Sequence, residues 1–234
     1  MKKIPELSII IPAYNEEKRI CKTLKKYNKY FKSKDYDYEI IVVIDKSKDR
    51  TEQLVVDFAK KNKNIIPLIF EQRRGKGGAI IEGFKIARAD KVGFSDADEA
   101  VSSEYIEKMF DCLSKYDCVI ASRRLKQSKI SRHQPIIRQV LSKGFNILVN
   151  IMFGLNIKDT QCGAKVFRSK VIKESIQNMK SKGFEFDVEL LWRIKKNNYS
   201  IKEYPIEWSH QDDSSFSLKE VPSMFINLLK LKVN

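Results

Sequence analysis

Apolar residues in this chain fall into short, nearly unbroken runs separated by amphipathic stretches. Leu7–Ile11, Glu39–Ile44, Ile65–Phe70, Val92–Ser95 and Asp117–Ala121 are rich in apolar and β-branched residues and read as buried strands. Between them, Glu16–Phe31, Glu52–Lys61, Gly77–Ala89 and Glu104–Lys115 repeat apolar residues at helical spacing. Strands that alternate with helices, and that are apolar on both faces, predict an α/β fold with a mostly parallel sheet covered on both sides. Ligands of such sheets gather beyond the carboxyl ends of the strands. The residues there are Pro12–Glu16 (PAYNE), Asp45–Asp49 (DKSKD), Arg73–Gly78 (RRGKGG) and Asp96–Asp98 (DAD).

The second half is patterned differently. Gln134–Phe153 predicts a long helix with Ile137, Leu141, Phe145, Leu148 and Met152 on one face. Gly163–Arg168 and Ile201–Trp208 predict strands, and Phe186–Lys196 a helix. Glu220–Val233 predicts an amphipathic helix ending in lysines. No repeat or low-complexity linker divides the chain, so the expectation is one domain over residues 1–234.

Composition narrows the functional classes. An apolar fraction of 42% in 234 residues supplies a core and excludes a disordered chain. Lys and Arg outnumber Asp and Glu by 45 to 30, a formal charge of +15. That excess suits an anionic partner, whether nucleic acid, acidic lipid or phosphorylated substrate; it also suits a surface merely solvated by lysines. The 4 cysteines show no C-x-x-C spacing and no histidine cluster, which argues against a zinc site or disulfide framework and for a reducing compartment. The first residues lack the apolar core of a signal peptide. No apolar run reaches the ~20 residues that span a bilayer.

The strand ends carry the candidate chemistry. Asp96 and Asp98, one residue apart, suit a shared hard cation such as Mg²⁺ or Mn²⁺ that bridges to a diphosphate. Alone, the triplet reads equally as a solvated acidic turn before a helix. Arg74–Ala79 (RGKGGA) offers backbone amides and the Lys76 ammonium to phosphate oxygens, though it lacks the Ser or Thr of a nucleotide-kinase loop. It reads equally as a plain strand-to-helix turn. Asp45 suits a nucleobase or ribose, whereas Asp49 and Thr51 suit helix capping. Arg123, Arg124, Lys126, Lys129, Arg132 and Arg138 bracket the start of the long helix, and arginine holds phosphate bidentately. No aromatic residues interleave this patch, as stacking on single strands requires, so no nucleic-acid partner is expected.

Taken in order, LSIIIPAYNEE (Leu7–Glu17), the Asp45 turn, RGKGGA, DAD, DTQCGAKVF (Asp159–Phe167) and FDVELL (Phe186–Leu191) resemble the inverting family 2 glycosyltransferases of the GT-A fold. Within these the chain is similar to the polyprenyl-phosphate sugar synthases, and RGKGGA and Cys162 favour the dolichyl-phosphate β-glucosyltransferase branch over the mannosyl one. The resemblance runs over roughly residues 5–230. It implies a nucleotide-sugar half at about 1–120 and an acceptor half with membrane-facing helices at about 121–234.

The implied reaction moves a hexose, glucose from UDP-glucose, onto dolichyl or polyprenyl phosphate with Mg²⁺ or Mn²⁺. GDP-mannose or UDP-N-acetylglucosamine are alternative donors. A non-catalytic nucleotide-sugar or nucleic-acid binding protein is the alternative from another class. By the resemblance, Pro12, Tyr14, Glu16, Asp45, Lys76 and Asp96 bind the nucleotide. Asp96 and Asp98 hold the metal. Arg123 and Arg138, with Ser142, bind the lipid phosphate, and Asp96, Asp98, Arg123 and Arg138 carry catalysis. His210, Ser214 and Ser215 belong to a loop that closes over the diphosphate. The chain departs from the pattern at Ile44, where relatives often carry a first Asp of a pair. It departs again at Ala100, where mannosyl relatives have a Gln, and at His210, where an Arg or other polar residue is common. A lipid acceptor implies a peripheral protein on the cytoplasmic face of a membrane, seated directly through Gln134–Phe153 and Glu220–Val233 or on an anchoring subunit; both helices read equally as helices that only cover the sheet.

Overall fold

A computed structural model describes residues 3–132, 134–209 and 221–233. In chain order the elements are β1 (Leu7–Ala13), α1 (Ile20–Lys32), β2 (Tyr38–Asp45), α2 (Thr51–Lys61), β3 (Ile65–Phe70), α3 (Gly75–Ile86), β4 (Lys91–Ser95), α4 (Ser103–Cys112) and β5 (Cys118–Ser122). There follow β6 (Lys129–Arg132), α5 (Ile136–Phe153), β7 (Ala164–Arg168), α6 (Ser169–Ser175), α7 (Phe186–Lys196), β8 (Ile201–Pro205), β9 (Glu207–Ser209) and α8 (Val221–Val233).

A sheet of 7 strands in the order β3-β2-β1-β4-β7-β5-β8 forms the frame. Its neighbours run parallel except around β7, which is antiparallel to both β4 and β5. Alternation along β1 sends Ile9 and Ile11 into one layer, with Leu24 and Phe31 of α1 and Ile106 of α4. Ile10 enters the other layer, with Ile80 and Phe84 of α3, Leu191 of α7 and Leu228 of α8. Buried on both faces, these strands need apolar side chains throughout, which is why they appeared as continuous runs.

The structure departs from the sequence reading in three places. Helix α1 starts at Ile20 and not at Glu16, because the Glu16 amide donates to Thr51 Oγ1 (2.7 Å) and is committed to the neighbouring loop. The stretch Ile201–Trp208 splits at Ile206: β8 pairs with β5, while β9 pairs with β6 in a separate sheet of 2 strands. Pro205, which has no amide donor, closes β8. The core face of α5 is Asn146, Val149 and Phe153, rotated from the predicted stripe. Ile137 is 70% exposed and Leu141 44%, and the stripe they begin lines a groove.

Candidate active site

The strand ends of β1, β2 and β4 converge on a cavity of about 560 Å³. One pole is polar and is lined by Pro12, Tyr14, Glu16, Arg19, Asp45, Arg73, Lys76, Asp96 and Asp98. The cavity passes Arg123 and Arg138 and continues between α5 and α8 along Leu141, Phe145, Leu148, Met224 and Phe225. One continuous space thus has an ionic end and an apolar end.

Local geometry fixes the ionic end. The loops after β1 and β2 are laced together: the Asn15 amide donates to Ser47 Oγ (3.1 Å), the Lys48 amide to Asn15 Oδ1 (2.8 Å) and the Glu17 amide to Asp49 Oδ2 (3.1 Å). Asn15, Lys46 and Glu99, at three of the strand ends, all have positive φ (55°, 55° and 57°). Such left-handed backbone at non-glycine residues concentrates where the fold over-determines a functional loop. Asp49 also accepts the Thr51 amide (3.0 Å), but the N-cap of α2 is Arg50 and no side chain caps it, so the capping role read for Asp49 and Thr51 is not realised; Thr51 Oγ1 instead accepts the Glu16 amide.

The glycine-rich turn is built for packing. Gly75 sits at φ +77°, a conformation that disfavours any side chain, and a Cβ at Gly77 would overlap Phe186 Cβ. The Gly75 amide donates to Asp45 Oδ2 (3.0 Å), the Arg74 amide to Asp45 Oδ1 (2.6 Å) and the Gly78 amide to the Lys182 carbonyl (3.1 Å). Of the two sequence readings, the strand-to-helix turn accounts for these amides, because they already have acceptors. Lys76 is the one side chain of that turn presented to the acidic centre. Its Nζ lies 2.6 Å from Asp96 Oδ1. Burial works to lower the Lys76 pKa, but Asp96 and Asp187 outweigh it and hold the ammonium above its ordinary value.

Nearly every carboxylate of the cavity wall is matched to a cation. Arg19 holds Glu16 bidentately (2.7 and 2.8 Å). Arg73 reaches Asp45 Oδ2 (3.2 Å) and lies flat over the Tyr14 ring, 3.2 Å from its centroid. Lys165, fully buried, pairs with Asp187 (2.6 Å) and the Cys162 carbonyl (2.8 Å). Asp98 differs. Its Oδ1 accepts the Ala100 amide (3.0 Å), and among the described residues no cation lies within ion-pair distance of it. Burial, and then the neighbouring Asp96, push its pKa up. Glu99 points elsewhere and pairs with Lys26 of α1 (2.7 Å).

Half-buried acids that repel each other, one without a counter-charge, are relieved by a bound cation, so the pair Asp96 and Asp98 fits a hard divalent metal. Among the described residues no group of 3 or more metal-ligating side chains assembles. The pair therefore leaves coordination positions for diphosphate oxygens and water.

At the middle of the cavity, Arg123 donates to Asp159 through Nε (2.7 Å), Nη2 (2.8 Å) and its own amide (3.0 Å), and packs over Trp208. Burial opposes the charge on Asp159, yet Arg123 holds its pKa below the ordinary value. Burial and the charge of Arg123 lower the pKa of Arg138. Ser142 accepts from Arg124 Nη2 (2.8 Å) on the same wall. The structure thus brings Pro12, Tyr14, Glu16, Asp45, Lys76, Asp96, Asp98, Arg123, Arg138 and Ser142 to one cavity. His210, Ser214 and Ser215 lie outside the described residues. Sequence reasoning missed Arg19 and Asp187 as lining residues, and placed Arg73 at a strand end without giving it a role. A lysine inside the apolar run AKVF was the one available signal for the Lys165–Asp187 pair, since a buried lysine needs a partner.

Comparison with known proteins agrees with this architecture. The family described as "Glycosyl transferase family 2" matches residues 8–176. Dolichyl-phosphate beta-glucosyltransferase ALG5D of Trichomonas vaginalis is 35% identical over 238 residues, covering 97% of this chain and 73% of that protein. The dolichyl-phosphate beta-glucosyltransferase of Saccharomyces cerevisiae is 34% identical over 231 residues, covering 91% and 69%. Glucosyl-3-phosphoglycerate synthase of Mycobacterium tuberculosis, solved with Mn²⁺, UDP and glucosyl-3-phosphoglycerate, superposes with a TM-score of 0.69 at 17% identity, over 97% of this chain and 80% of that one. Another structure of that synthase holds Mg²⁺ and UDP. The shared fold is GT-A. With the family match spanning the strands that build the cavity, and relatives above 30% identity along almost the whole chain, this protein is a glycosyltransferase and belongs to glycosyl transferase family 2.

Proposed function

We propose that this enzyme transfers glucose from UDP-glucose to dolichyl phosphate or a similar polyprenyl phosphate, inverting the anomeric centre. One observation carries the reading. A single cavity runs from a metal-competent acidic pair, past two arginines, to an apolar groove between α5 and α8. A nucleotide sugar suits the first part, a phosphate the second and an isoprenoid chain the third. The names of the relatives at 34–35% identity support the same donor and acceptor.

Tyr14, Asp45 and Arg73 form the slot for the base: an aromatic face, an acceptor and a planar donor on one wall. Asp96 and Asp98 would hold Mg²⁺ or Mn²⁺, which supplies Lewis-acid stabilisation of the departing diphosphate. Arg123 and Arg138 hold the acceptor phosphate against the sugar, with Arg123 fixed in place by Asp159. A phosphate monoester with a second pKa of ~6 is mostly dianionic at neutral pH, so no residue need remove a proton from the nucleophile. Orientation by the two arginines then does the work that a general base does for a hydroxyl acceptor.

The apolar end points to a membrane surface. Among the described residues no helix is long and apolar enough to cross a bilayer. Ile136 (78% exposed), Val140 (63%), Ile147 (61%) and Ile151 (78%) nevertheless stand in water on α5, and Phe225 and Ile226 are exposed on α8. Neither helix contains an acidic residue, and Arg138, Lys143, Lys230 and Lys232 supply positive charge. An acid-free apolar face with basic residues suits the headgroup region of an anionic leaflet. The 4 free cysteines suit its cytoplasmic side.

The test is a donor screen. Labelled UDP-glucose, UDP-N-acetylglucosamine and GDP-mannose are each incubated with polyprenyl phosphate and Mg²⁺ or Mn²⁺. The expected result is label in lipid from UDP-glucose above the other two. Label from GDP-mannose alone would overturn the donor assignment, and no label from any donor would overturn the acceptor assignment.

A further inference from the structure

The ion pairs of the cavity wall are asymmetric at the one place where symmetry matters. Glu16, Asp45 and Asp187 are tied to Arg19, Arg73 and Lys165. Of the two acids that suit a metal, Asp96 is also tied, to Lys76 at 2.6 Å, and among the described residues Asp98 has no cation within ion-pair distance. Lys76 is not a mobile surface lysine. Its side chain is 17% exposed and lies 5.6 Å from the Phe184 ring. It extends from the first turn of α3, which is clamped by the Asp45 contacts to Arg74 and Gly75 and by the close approach of Gly77 to Phe186. Asp187, which also acts on Lys76, is already engaged by Lys165, and Asp98 acts on Lys76 without an ion-pair contact.

A single carboxylate is a poor site for a hard divalent ion, whose affinity rises with the number of charged ligands. An ammonium bound to the second carboxylate lowers that affinity further, by occupying its oxygen and by repulsion. A diphosphate reverses both effects. It offers Lys76 another anionic oxygen, at charge-assisted hydrogen-bond strength, and brings its own oxygens to the metal.

We propose that Lys76 is a built-in counter-cation that competes with the divalent metal for Asp96, so that the metal binds firmly only when a nucleotide diphosphate draws Lys76 away. The inference rests on Asp96 and Asp98 being the metal–diphosphate pair, as argued above. It makes Lys76 a positioning residue that couples metal binding to donor binding.

Mn²⁺ binding, read by the loss of the free-ion electron paramagnetic resonance signal, tests this without turnover. Wild-type protein with Mn²⁺ alone should bind weakly, and UDP should tighten binding by about tenfold or more once Mn²⁺–UDP association in buffer is subtracted. Lys76→Met should bind Mn²⁺ without UDP about tenfold more tightly than wild type and gain less from UDP. A second pair of variants keeps the test open should Lys76→Met fold poorly. Without UDP, Asp98→Asn should abolish Mn²⁺ binding, while Asp96→Asn should leave it within about threefold of wild type, because Asp96 is not then a ligand. The inference is overturned if nucleotide-free wild type binds Mn²⁺ as tightly as Lys76→Met, or if Asp96→Asn and Asp98→Asn weaken nucleotide-free binding equally. If UDP recruits no Mn²⁺ to wild type at all, the metal–diphosphate reading itself fails.

Discussion

At the strand-end pole, Glu16, Asp45, Asp96 and Asp187 each have a cation between 2.6 and 3.2 Å away, and the loops after β1 and β2 are laced by hydrogen bonds from backbone amides to side chains. At the other pole, Ile136 and Ile151 of α5 are each 78% exposed and no described side chain covers them. Among the described residues, every acid of the first region except Asp98 is paired with a cation. The second is incomplete in its packing, as a membrane-facing surface is when seen in water. On the proposed function the two poles answer to different solvents, so substitutions should separate them.

The largest expected effect lies where the poles meet. Asp159→Asn leaves Arg123 charged and 17% exposed without its carboxylate, so it should cost roughly 3–5 kcal/mol of stability in denaturant titration. The pH dependence follows from the sign. The folded Asp159 pKa is below its ordinary 3.8, so its contribution is full above that value and is lost as pH falls below it. Wild type and variant should therefore converge in stability only below that pH. Asp98→Asn should act in the opposite way. Glucosyl transfer should fall by about 10²–10³-fold, while the melting temperature holds or rises, since a repulsive neighbour of Asp96 is removed.

Arg138→Ala sharpens the boundary between the poles. Loss of a charged contact to phosphate should raise the KM for the lipid acceptor by about 10- to 100-fold, with UDP binding by calorimetry unchanged. The smallest effect on the fold should come from the apolar pole. Ile151→Ser, at a position 78% exposed, should change stability by no more than about 0.5 kcal/mol in denaturant titration. A loss above 2 kcal/mol would show that α5 is packed against protein and not against lipid.

Sequence patterning reached the strand-end pole far better than the other. Strands buried on both faces must be apolar, so β1, β2, β4 and β5 were visible as runs; the edge strand β3, half-buried, was visible because it too is apolar, and the residues after these strands were the lining of the cavity. β6 was invisible because Lys129, Ser131 and Arg132 are exposed and its pairing with β9 joins residues distant in sequence. The antiparallel insertion of β7 leaves no mark on its composition. The rotation of α5 was misread because apolar residues that face a membrane or groove carry the same helical signal as apolar residues that face a core. The glycine run suggested phosphate binding, and the structure uses Gly77 to seat Phe186. The partner of Lys165 lies 22 residues away and depends on tertiary approach, which spacing does not encode, whereas Glu16 and Arg19 are a local i,i+3 pair that spacing does encode.

The central claim is that one cavity serves a water-borne donor at one end and a bilayer-borne acceptor at the other. The direct measurement compares kcat/KM for a long-chain polyprenyl phosphate in anionic vesicles with that for a short, water-soluble prenyl phosphate, in wild type and in Ile147→Ser/Ile151→Ser. The account predicts a drop of about tenfold for the vesicle substrate, as expected when buried apolar area at a membrane surface is lost, and an unchanged value for the soluble one. An equal drop for both substrates, or no drop for either, would contradict it.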